Sequence, residues 1–259
     1  MKSKTSVSDI ERKGKLLRFI EEQQNVTVRE IGEQFSVSEA TVRRDLDLLA
    51  GQGQIQRVHG GAMAVRRISP EPPIINRTVD HAEEKKRIGA LVADLIQDGE
   101  TVFLGSGTTV AEVANHIKNR QNLTIITNSL PVINTLADIS SIEVIALGGL
   151  LRHSEYSLIG HIAEQSTLEL RSDRVIMGIR AVDIEVGLTN DYLAETMTDR
   201  AILKLGREVI LVADHSKCRR ISSAFVAPLS AIHTFVTDSG TPSDFLDALT
   251  ARDIRVLVA

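Results

Sequence analysis

Residues 101–110 read TVFLGSGTTV, and this stretch decides the architecture of most of the chain. Thr101–Leu104 has the β-branched and aromatic composition of a buried strand. Gly105–Thr109 follows as a glycine-rich loop, and Val110–Ile117 has the apolar spacing of a helix. Strand, tight loop and helix in this order form the repeating unit of α/β domains. The stretch therefore predicts that the chain around it alternates strands with helices.

The rest of the chain beyond residue 80 shows the same alternation. Short apolar runs are separated by segments with helical periodicity, which is typical of a parallel sheet covered on both faces. We therefore predict an α/β domain over residues 81–259 with a doubly wound, mainly parallel sheet. The predicted strands are Thr101–Leu104, Leu123–Thr127, Ile142–Leu147, Arg174–Met177, Glu208–Val212, His233–Thr237 and Arg255–Val258.

The glycine-rich loop predicts a binding site for a single phosphate group. Such a loop at a helix start directs backbone N–H groups and the positive end of the helix dipole towards an anion. Ser106, Thr108 and Thr109 add hydroxyl donors around Gly107. The loop lacks the Gly-Lys-Ser/Thr ending of a P-loop, and Val110 replaces the third glycine of a dinucleotide-binding loop. No nucleotide or other cofactor is therefore expected.

Polar residues and glycines also follow the other predicted strands. The carboxyl ends of parallel strands lie along one edge of a sheet, where ligands bind in open α/β folds. We expect Lys217 to bind a phosphate oxygen, and Asp214 and Glu195 to accept hydrogen bonds from sugar hydroxyls. The alternative is that Asn, Asp and Gly are simply common in loops. The predicted effector-binding residues are Ser106, Gly107, Thr108, Thr109, Asn128, Ser129, Gly148, Gly149, Glu195, Asp214 and Lys217.

A proline-rich segment separates this domain from the N-terminal part of the chain. Ser69–Pro73 holds three of the six prolines, and proline fixes φ and disfavours a helical conformation in the residue before it. We predict a linker over residues 67–80, between a domain at 1–66 and the α/β domain at 81–259. A helix is expected to follow the linker, from Glu83 to Ile96.

Residues 1–66 carry the pattern of a winged helix-turn-helix domain. Thr27–Glu30 has the spacing of a capping box that opens a short second helix. A tight turn at Phe35–Ser38 leads to a third helix, in which Val42, Leu46 and Leu49 share one face. Two short helices joined by a turn, the second with arginines near its start, are typical of a DNA-recognition unit.

The exposed face of the third helix and a hairpin wing over residues 54–62 supply the candidate DNA contacts. Arginine pairs with guanine or binds phosphate, and short hydroxyl side chains suit backbone oxygens. The alternative is a three-helix interaction module whose arginines are merely solvated. The candidate DNA-binding residues are Ser38, Glu39, Thr41, Arg43, Arg44, Arg57 and His59.

Composition permits this assignment and excludes several others. The 259-residue chain has a net charge of −4, but residues 1–68 carry 12 Lys and Arg against 9 Asp and Glu, and residues 69–259 carry 18 against 25. A single cysteine, Cys218, excludes a disulfide framework and a thiolate zinc site, and the scattered histidines predict no metal site. Without a signal-like start or an apolar run approaching ~20 residues, the expectation is a cytoplasmic protein.

The segment Val37–Leu46, followed by His59-Gly60-Gly61, closely resembles the DNA-binding part of the DeoR family of bacterial transcriptional regulators. The resemblance extends through Gly105–Thr109, Thr127–Ser129, Gly148-Gly149, Glu195 and Asp214–Lys217, and so covers nearly the whole chain. It implies a repressor that releases DNA, or changes how it binds DNA, when a sugar phosphate binds. It also implies a sensor domain related in fold to ribose-5-phosphate isomerase and glucosamine-phosphate deaminase.

Two positions depart from the pattern that this family shows. Gly105 stands where an acidic residue is usual, and Arg180 stands where small residues are usual. A lost carboxylate and a gained cation predict a more anionic or less hydroxyl-rich ligand, with Arg180 among the effector-binding residues.

The prediction is thus a DNA-binding repressor of a carbohydrate-use operon, acting as a homodimer or homotetramer on repeated half-sites. The alternative is a sugar-phosphate isomerase or deaminase with an accessory helix-turn-helix head. In that enzyme Glu195 would be the general base and Lys217 the phosphate or enolate partner.

Overall fold

The computed structural model describes residues 7–23, 25–51, 55–58, 60–64 and 72–259. The chain divides into two units, Met1–Arg67 and Ile68–Ala259. The predicted linker, 67–80, runs across this division. Its residues 67–71 lie outside the described residues, and residues 72–80 form a short helix and turns within the second unit.

The first unit consists of three helices and a small antiparallel sheet. The strand order is β1-β3-β2, and the hairpin β2–β3 is the wing that the sequence predicts. The winged helix-turn-helix fold is confirmed. The elements are α1 (Val7–Gln23), β1 (Asn25–Thr27), α2 (Val28–Phe35), α3 (Glu39–Gly51), β2 (Ile55–Val58) and β3 (Gly61–Ala64).

Local hydrogen bonds set the ends of α2 and the start of α3. The capping box forms as predicted, because the Glu30 amide donates to Thr27 Oγ1 at 3.2 Å and the Thr27 amide donates to Glu30 Oε2 at 2.7 Å. Ser36 ends α2 in the left-handed region at φ 52°. Ser38 Oγ then accepts the Thr41 amide at 3.3 Å and caps α3.

The first unit has its own core, and one buried ion pair joins two of its helices. Val42, Leu46 and Leu49 are all buried in this core, as the spacing in α3 predicts. On the same helix, Asp45 accepts two hydrogen bonds from Arg12 of α1, from Nε at 2.9 Å and from Nη2 at 3.3 Å. This bidentate contact fixes the position of α3 against α1.

The second unit alternates strands with helices around a large sheet. Its elements are α4 (Ile74–Arg77), α5 (Ala82–Ala93), β4 (Thr101–Leu104), α6 (Thr108–His116), β5 (Leu123–Thr127), α7 (Leu130–Leu136), β6 (Ile142–Ala146), β7 (Leu150–Arg152), β8 (Ser157–Ile159), α8 (His161–Leu168), β9 (Ser172–Gly178), β10 (Ala181–Asp183), β11 (Gly187–Asn190), α9 (Leu193–Ile202), β12 (Gly206–Val212), β13 (Ala224–Ala227), β14 (Thr234–Thr237), α10 (Ser243–Thr250) and β15 (Arg255–Val258).

The large sheet has seven strands in the order β15-β14-β12-β9-β4-β5-β6, and every pairing in it is parallel. The predicted doubly wound parallel sheet is therefore confirmed. From β4, the first strand of this sheet in the chain, the chain builds β5 and β6 on one side and then β9, β12, β14 and β15 on the other. The pair β4/β9 is consequently the switch point at which the direction of winding reverses.

Successive residues along the strands enter two different cores. In β4, Phe103 belongs to one apolar cluster, whereas Val102 and Leu104 belong to the other. In β9, Val175 and Ile176 divide in the same way. Because side chains alternate between the faces of a strand, a continuous apolar run is what a sheet buried on both sides requires.

Two small sheets lie outside the large one. β7 pairs with β8, and β10, β11 and β13 form a three-stranded antiparallel sheet. The sequence patterns did not predict these strands, because runs of three or four residues are too short for an alternation to stand out.

Candidate functional site

A cleft opens at the carboxyl ends of β4 and β9, on either side of the switch point. The space between its walls is about 570 Å³, including the part that is open to solvent. Its lining residues are Arg77, Lys85, Ser106, Gly107, Thr108, Thr109, Glu155, Gly178, Ile179, Arg180, Asn190, Glu195, Asp199, Val212, Ala213, Asp214 and Lys217. Eight of the predicted effector-binding residues lie here: Ser106, Gly107, Thr108, Thr109, Arg180, Glu195, Asp214 and Lys217.

The loop after β4 places a helix start in this cleft. α6 begins at Thr108, two residues earlier than predicted, so Thr108 and Thr109 form its first turn. Gly107 is the N-cap with φ 110°, a conformation that side chains rarely adopt, and the space beside it is open. First-turn N–H groups have no partner within a helix. The geometry therefore suits an anion, as the sequence predicts.

Cations concentrate around the outer part of the cleft. A second cavity, which we call the mouth, shares Arg77, Lys85, Arg180, Asp214 and Lys217 with the cleft. The mouth is also lined by Pro72, Val79, Asp80, His81, Ser216 and Arg220. Five cationic side chains thus face the mouth, against two carboxylates.

The inner part of the cleft carries a buried carboxylate network. Glu195 and Asp199 lie one turn apart on α9, and Asn190 Nδ2 donates to Glu195 Oε2 at 3.1 Å and to Asp199 Oδ2 at 3.0 Å. Ser157 Oγ donates to Glu195 Oε1 at 3.2 Å, and Arg152 pairs with the same carboxylate. The two carboxylates can accept hydrogen bonds from ligand hydroxyls as well as from these protein donors.

Burial changes the protonation of this network. Burial, with a contribution from the neighbouring Asp199 charge, raises the pKa of Glu195 to about 7, although Arg152 acts in the opposite direction. Burial likewise raises the pKa of Asp199 to about 6. Because the charge of Asp199 raises the pKa of Glu195, the titrations of the two carboxyls are linked. The inner cleft therefore changes charge near neutral pH.

Arg180, the cation that departs from the family pattern, lines both the cleft and its mouth. It is buried, with Nε 3.7 Å from Asp191 Oδ2. Asp191 also lies 3.5 Å from Arg152 Nη2. The charge of Arg180 is therefore partly balanced by a neighbouring carboxylate.

The other four predicted effector-binding residues, Asn128, Ser129, Gly148 and Gly149, do not line the cleft. They follow β5 and β6, which extend the sheet away from the switch point by about 5 Å per strand. Asn128 Nδ2 instead donates to the Leu158 carbonyl at 3.2 Å, and Ser129 caps α7. A Cβ on Gly149 would lie 2.6 Å from the Ile159 carbonyl oxygen, so this glycine permits the hairpin β7–β8.

Sequence reasoning missed Arg77, Lys85, Glu155, Asn190 and Asp199. None of the five directly follows one of the seven predicted strands, so no strand-end signal marks them. A signal was present for two of them. Lys85 precedes Ile88 and Val92 at helical spacing on the buried face of α5, and a charged residue in an apolar stripe points to a site. Asp199 is four residues after Glu195 on the buried face of α9.

In the first unit, the candidate DNA-binding residues lie on α3, at its start and on the wing. Arg44 is exposed, whereas Arg43 Nη2 lies 3.0 Å from Glu39 Oε2 on the preceding turn. Ser38 Oγ and Thr41 Oγ1 are 3.0 Å apart. Arg57 donates to the Gly61 carbonyl at 3.0 Å and pairs with Asp47 of α3 at 3.1 Å. His59 lies outside the described residues.

The described part of the chain holds neither a metal-binding cluster nor a membrane-spanning helix. It holds no group of three or more His, Cys, Asp or Glu side chains placed to bind a metal ion. None of its helices combines the length and the apolar character needed to cross a membrane. The single cysteine is buried, and burial raises the pKa of the Cys218 thiol to about 12.

Both units match models of known protein families. Residues 12–67 match the DeoR-like helix-turn-helix domain, and residues 80–239 match the DeoR C-terminal sensor domain. The transcriptional repressor AccR of Agrobacterium fabrum is 33% identical, over 89% of this chain and 90% of that protein. The glycerol-3-phosphate regulon repressor of Escherichia coli is 36% identical, over 93% of this chain and 95% of that protein.

Among solved structures, ribose 5-phosphate isomerase of Methanocaldococcus jannaschii is similar to this chain with 17% identity and a TM-score of 0.41. The match covers 54% of this chain and 55% of the isomerase. The relatives that match nearly the full chain are transcriptional regulators. The alternative prediction of an isomerase or deaminase is therefore set aside, and the protein is a regulator.

Proposed function

The chain belongs to the DeoR family of transcriptional regulators, and on this premise we propose that it represses a carbohydrate-use operon under the control of a phosphorylated sugar. The first unit binds operator DNA, and the cleft of the second unit binds the effector. Effector binding releases the protein from DNA or weakens its hold.

The separation of charge within the cleft carries this proposal. The mouth is rich in cations and shares residues with the cleft, which holds the α6 start, and this combination suits a phosphate group. The inner cleft offers Glu195, Asp199 and Asn190, which suit hydroxyl groups. A ligand with a phosphate at one end and hydroxyls at the other matches both parts, whereas an uncharged sugar or inorganic phosphate matches only one.

The family relationship suggests which effectors to test first. One similar repressor is named for the glycerol-3-phosphate regulon, so glycerol 3-phosphate belongs in the panel. The gained cation Arg180 favours a ligand with more negative charge or fewer hydroxyls, although Asp191 balances part of its charge. If Arg180 contributes to phosphate preference, Arg180→Ala narrows the affinity ratio between a sugar phosphate and its parent sugar. An unchanged ratio would rule out this role.

We assign the DNA contacts to Ser38, Glu39, Thr41, Arg43 and Arg44 of the helix-turn-helix, and to Arg57 and His59 of the wing. Arg44 is free to reach a base edge, because no ion pair engages it within the described residues. Arg43 must first separate from Glu39, which is an exposed and therefore weak pair. The protein acts as a homodimer or homotetramer, which matches the two-fold operators of such domains.

The experiment is a gel shift with DNA from the protein's own promoter region, with and without a panel of sugar phosphates and their parent sugars. We expect one phosphate to release the DNA while its parent sugar does not. Lys217→Met should abolish this release, whereas Lys118→Met, at an exposed position outside the cleft, should retain it. Specific DNA binding that no phosphate alters would contradict the effector assignment. Absence of specific binding at any salt concentration would contradict the proposal as a whole.

The proposed contacts with DNA bases are tested separately. Arg44→Ala should cost about 1–3 kcal/mol on the cognate operator if Arg44 contacts a base. An equal loss on unrelated DNA would mark a phosphate contact instead.

A further inference from the structure

Lys85 is a buried lysine that the proposed function does not yet use. Only 5% of the residue is exposed, and it occupies the apolar face of α5 beside Ile88 and Val92. Its ammonium donates to two main-chain oxygens, the Arg77 carbonyl at 2.8 Å and the Asp80 carbonyl. A lysine in such a place is costly unless its charge is compensated.

The buried charge of Lys85 is only partly compensated by its hydrogen bonds. An ammonium has three N–H donors, and within residues 72–259 two of them have acceptors. Asp214 attracts the charge, whereas Lys217 and Arg77 repel it, and burial lowers the pKa of Lys85. Lys85 and Lys217 line both the cleft and its mouth, and Thr108 of the α6 start lines the cleft with them. Lys85 therefore borders the region that suits an anion.

The two carbonyls that Lys85 binds belong to the turn between α4 and α5. Arg77 is the last residue of α4, and Asp80 precedes His81, which takes the left-handed conformation at φ 52°. His81 caps α5 without a side-chain hydrogen bond. The Lys85 ammonium thus connects both ends of the turn at residues 77–81 through hydrogen bonds. This segment stands at the start of the second unit, on the side of the chain that leads to the DNA-binding unit.

We propose that Lys85 binds the anionic group of the effector through its third N–H, and that the same ammonium thereby couples effector binding to the turn at residues 77–81. The inference rests on the proposed function, since it takes the cleft as the effector site. A bound phosphate satisfies the third donor and offsets the repulsion among Lys85, Arg77 and Lys217. The ammonium then donates three hydrogen bonds, two to main-chain carbonyls and one to the phosphate. The turn at residues 77–81 becomes more ordered as a result.

The test is hydrogen–deuterium exchange of the full chain, followed by mass spectrometry, in inorganic phosphate and in chloride of matched ionic strength. Phosphate serves as the probe because it carries the anionic group common to every sugar phosphate. In the wild type we expect slower exchange in two places, the start of α6 at residues 106–111 and the turn at residues 77–82. Titrating the phosphate gives an apparent affinity from each place.

Three variants separate binding from coupling. Lys85→Met should weaken phosphate binding at residues 106–111 roughly ten-fold or more, as expected for a lost charge-assisted hydrogen bond. Lys85→Arg keeps the charge but replaces the ammonium geometry, so it should retain protection at 106–111 and lose the response at 77–82. Lys86→Met is the matched control, because Lys86 is exposed and pairs only with Glu83 among the described residues. It should behave as the wild type does.

Each other outcome has a definite meaning. Equal phosphate affinity in wild type and Lys85→Met would overturn the inference and leave the proposed function standing. Weaker binding in Lys85→Met, with no response at 77–82 in the wild type, would overturn the coupling. If Lys85→Met does not fold, a preserved response at 77–82 in Lys85→Arg would overturn the bridging role. No protection of residues 106–111 in the wild type would refute the anion site, and with it the effector part of the proposed function.

Discussion

Replacing Arg12 by Met tests whether the buried ion pair with Asp45 holds the recognition helix α3 against α1. Methionine keeps most of the apolar stem and removes the guanidinium, so packing is largely preserved. Asp45 then remains with its side chain only 7% exposed and without its bidentate partner. A buried carboxylate that loses its cation is the costly part of this change.

The magnitude follows from the burial of the two partners. Removing one partner of a fully buried pair costs about 3–5 kcal/mol, whereas exposed pairs contribute about 0–1 kcal/mol. Asp45 is near the first limit, but the Arg12 side chain is 25% exposed, so water can reach part of the site. We therefore expect the first unit to lose about 2 kcal/mol of stability, which corresponds to a roughly 30-fold larger unfolded population.

Hydrogen exchange of the α3 amides measures this loss directly, because amides within a cooperative unit exchange when that unit opens. Tyrosine fluorescence cannot serve, since both tyrosines of the chain lie beyond residue 150. The matched control is Arg29→Met, which removes an exposed pair with Glu33 on α2. It should change exchange by less than about two-fold.

A double-mutant cycle isolates the pair from any other role of Arg12. Asp45→Asn in the Arg12→Met background should cost less than it does alone, because the carboxylate that it removes has already lost its cation there. The reasoning is refuted if Arg12→Met speeds exchange no more than the Arg29 control. It is equally refuted if the two substitutions are simply additive.

Three further predictions concern pH, a close approach in the wing, and the single cysteine. Since the pKa values of Glu195 and Asp199 are raised to about 7 and about 6, the folded second unit binds protons more tightly than the unfolded chain, and its stability should fall as pH rises from about 4.5 to about 7. Urea unfolding followed by tyrosine fluorescence should show this fall, and an equal pH slope in Asp199→Asn would contradict it. A Cβ on Gly61 would lie 2.2 Å from a main-chain oxygen of β1, whereas Gly60 has open space and a φ of 79°. Gly61→Ala should therefore destabilise the first unit by about 1–3 kcal/mol or more, and Gly60→Ala by about 1 kcal/mol. Faster exchange of the α3 amides in Gly60→Ala than in Gly61→Ala would be inconsistent with the wing geometry. Cys218, with a pKa of about 12, should resist a thiol reagent at pH 8 until the protein unfolds, and rapid labelling of the native protein would disprove its burial.

Much of the fold could be predicted from local patterns. The strands Thr101–Leu104, Leu123–Thr127 and Arg255–Val258 have the bounds that their apolar runs predict, and the other four long strands differ by at most two residues at an end. The helix after the linker was placed at Glu83–Ile96 and is found at Ala82–Ala93. Hydrophobic periodicity depends only on residues that are close in the sequence, so it can be read without knowing how distant segments pack.

The candidate site was also predicted only in part from local patterns. The loop Gly105–Thr109 was recognisable because its glycines and hydroxyl residues are adjacent in the chain. Asn128 and Gly149 have the same kind of local signal, yet they lie away from the cleft. Local composition does not distinguish a strand beside the switch point from one farther along the sheet.

The sequence alone thus determined the seven strands of the large sheet and the helices of the helix-turn-helix, and it predicted an anion site in the loop after β4. Only the tertiary structure decided that β9 lies beside β4, and that Arg180 and Asp214 therefore share a cleft with that loop. Only the tertiary structure also brought Lys85 and Asp199 there, from helices rather than from strand ends. The physical reason is that strand order and helix docking depend on contacts between distant parts of the chain, and such contacts leave no periodic trace in the sequence.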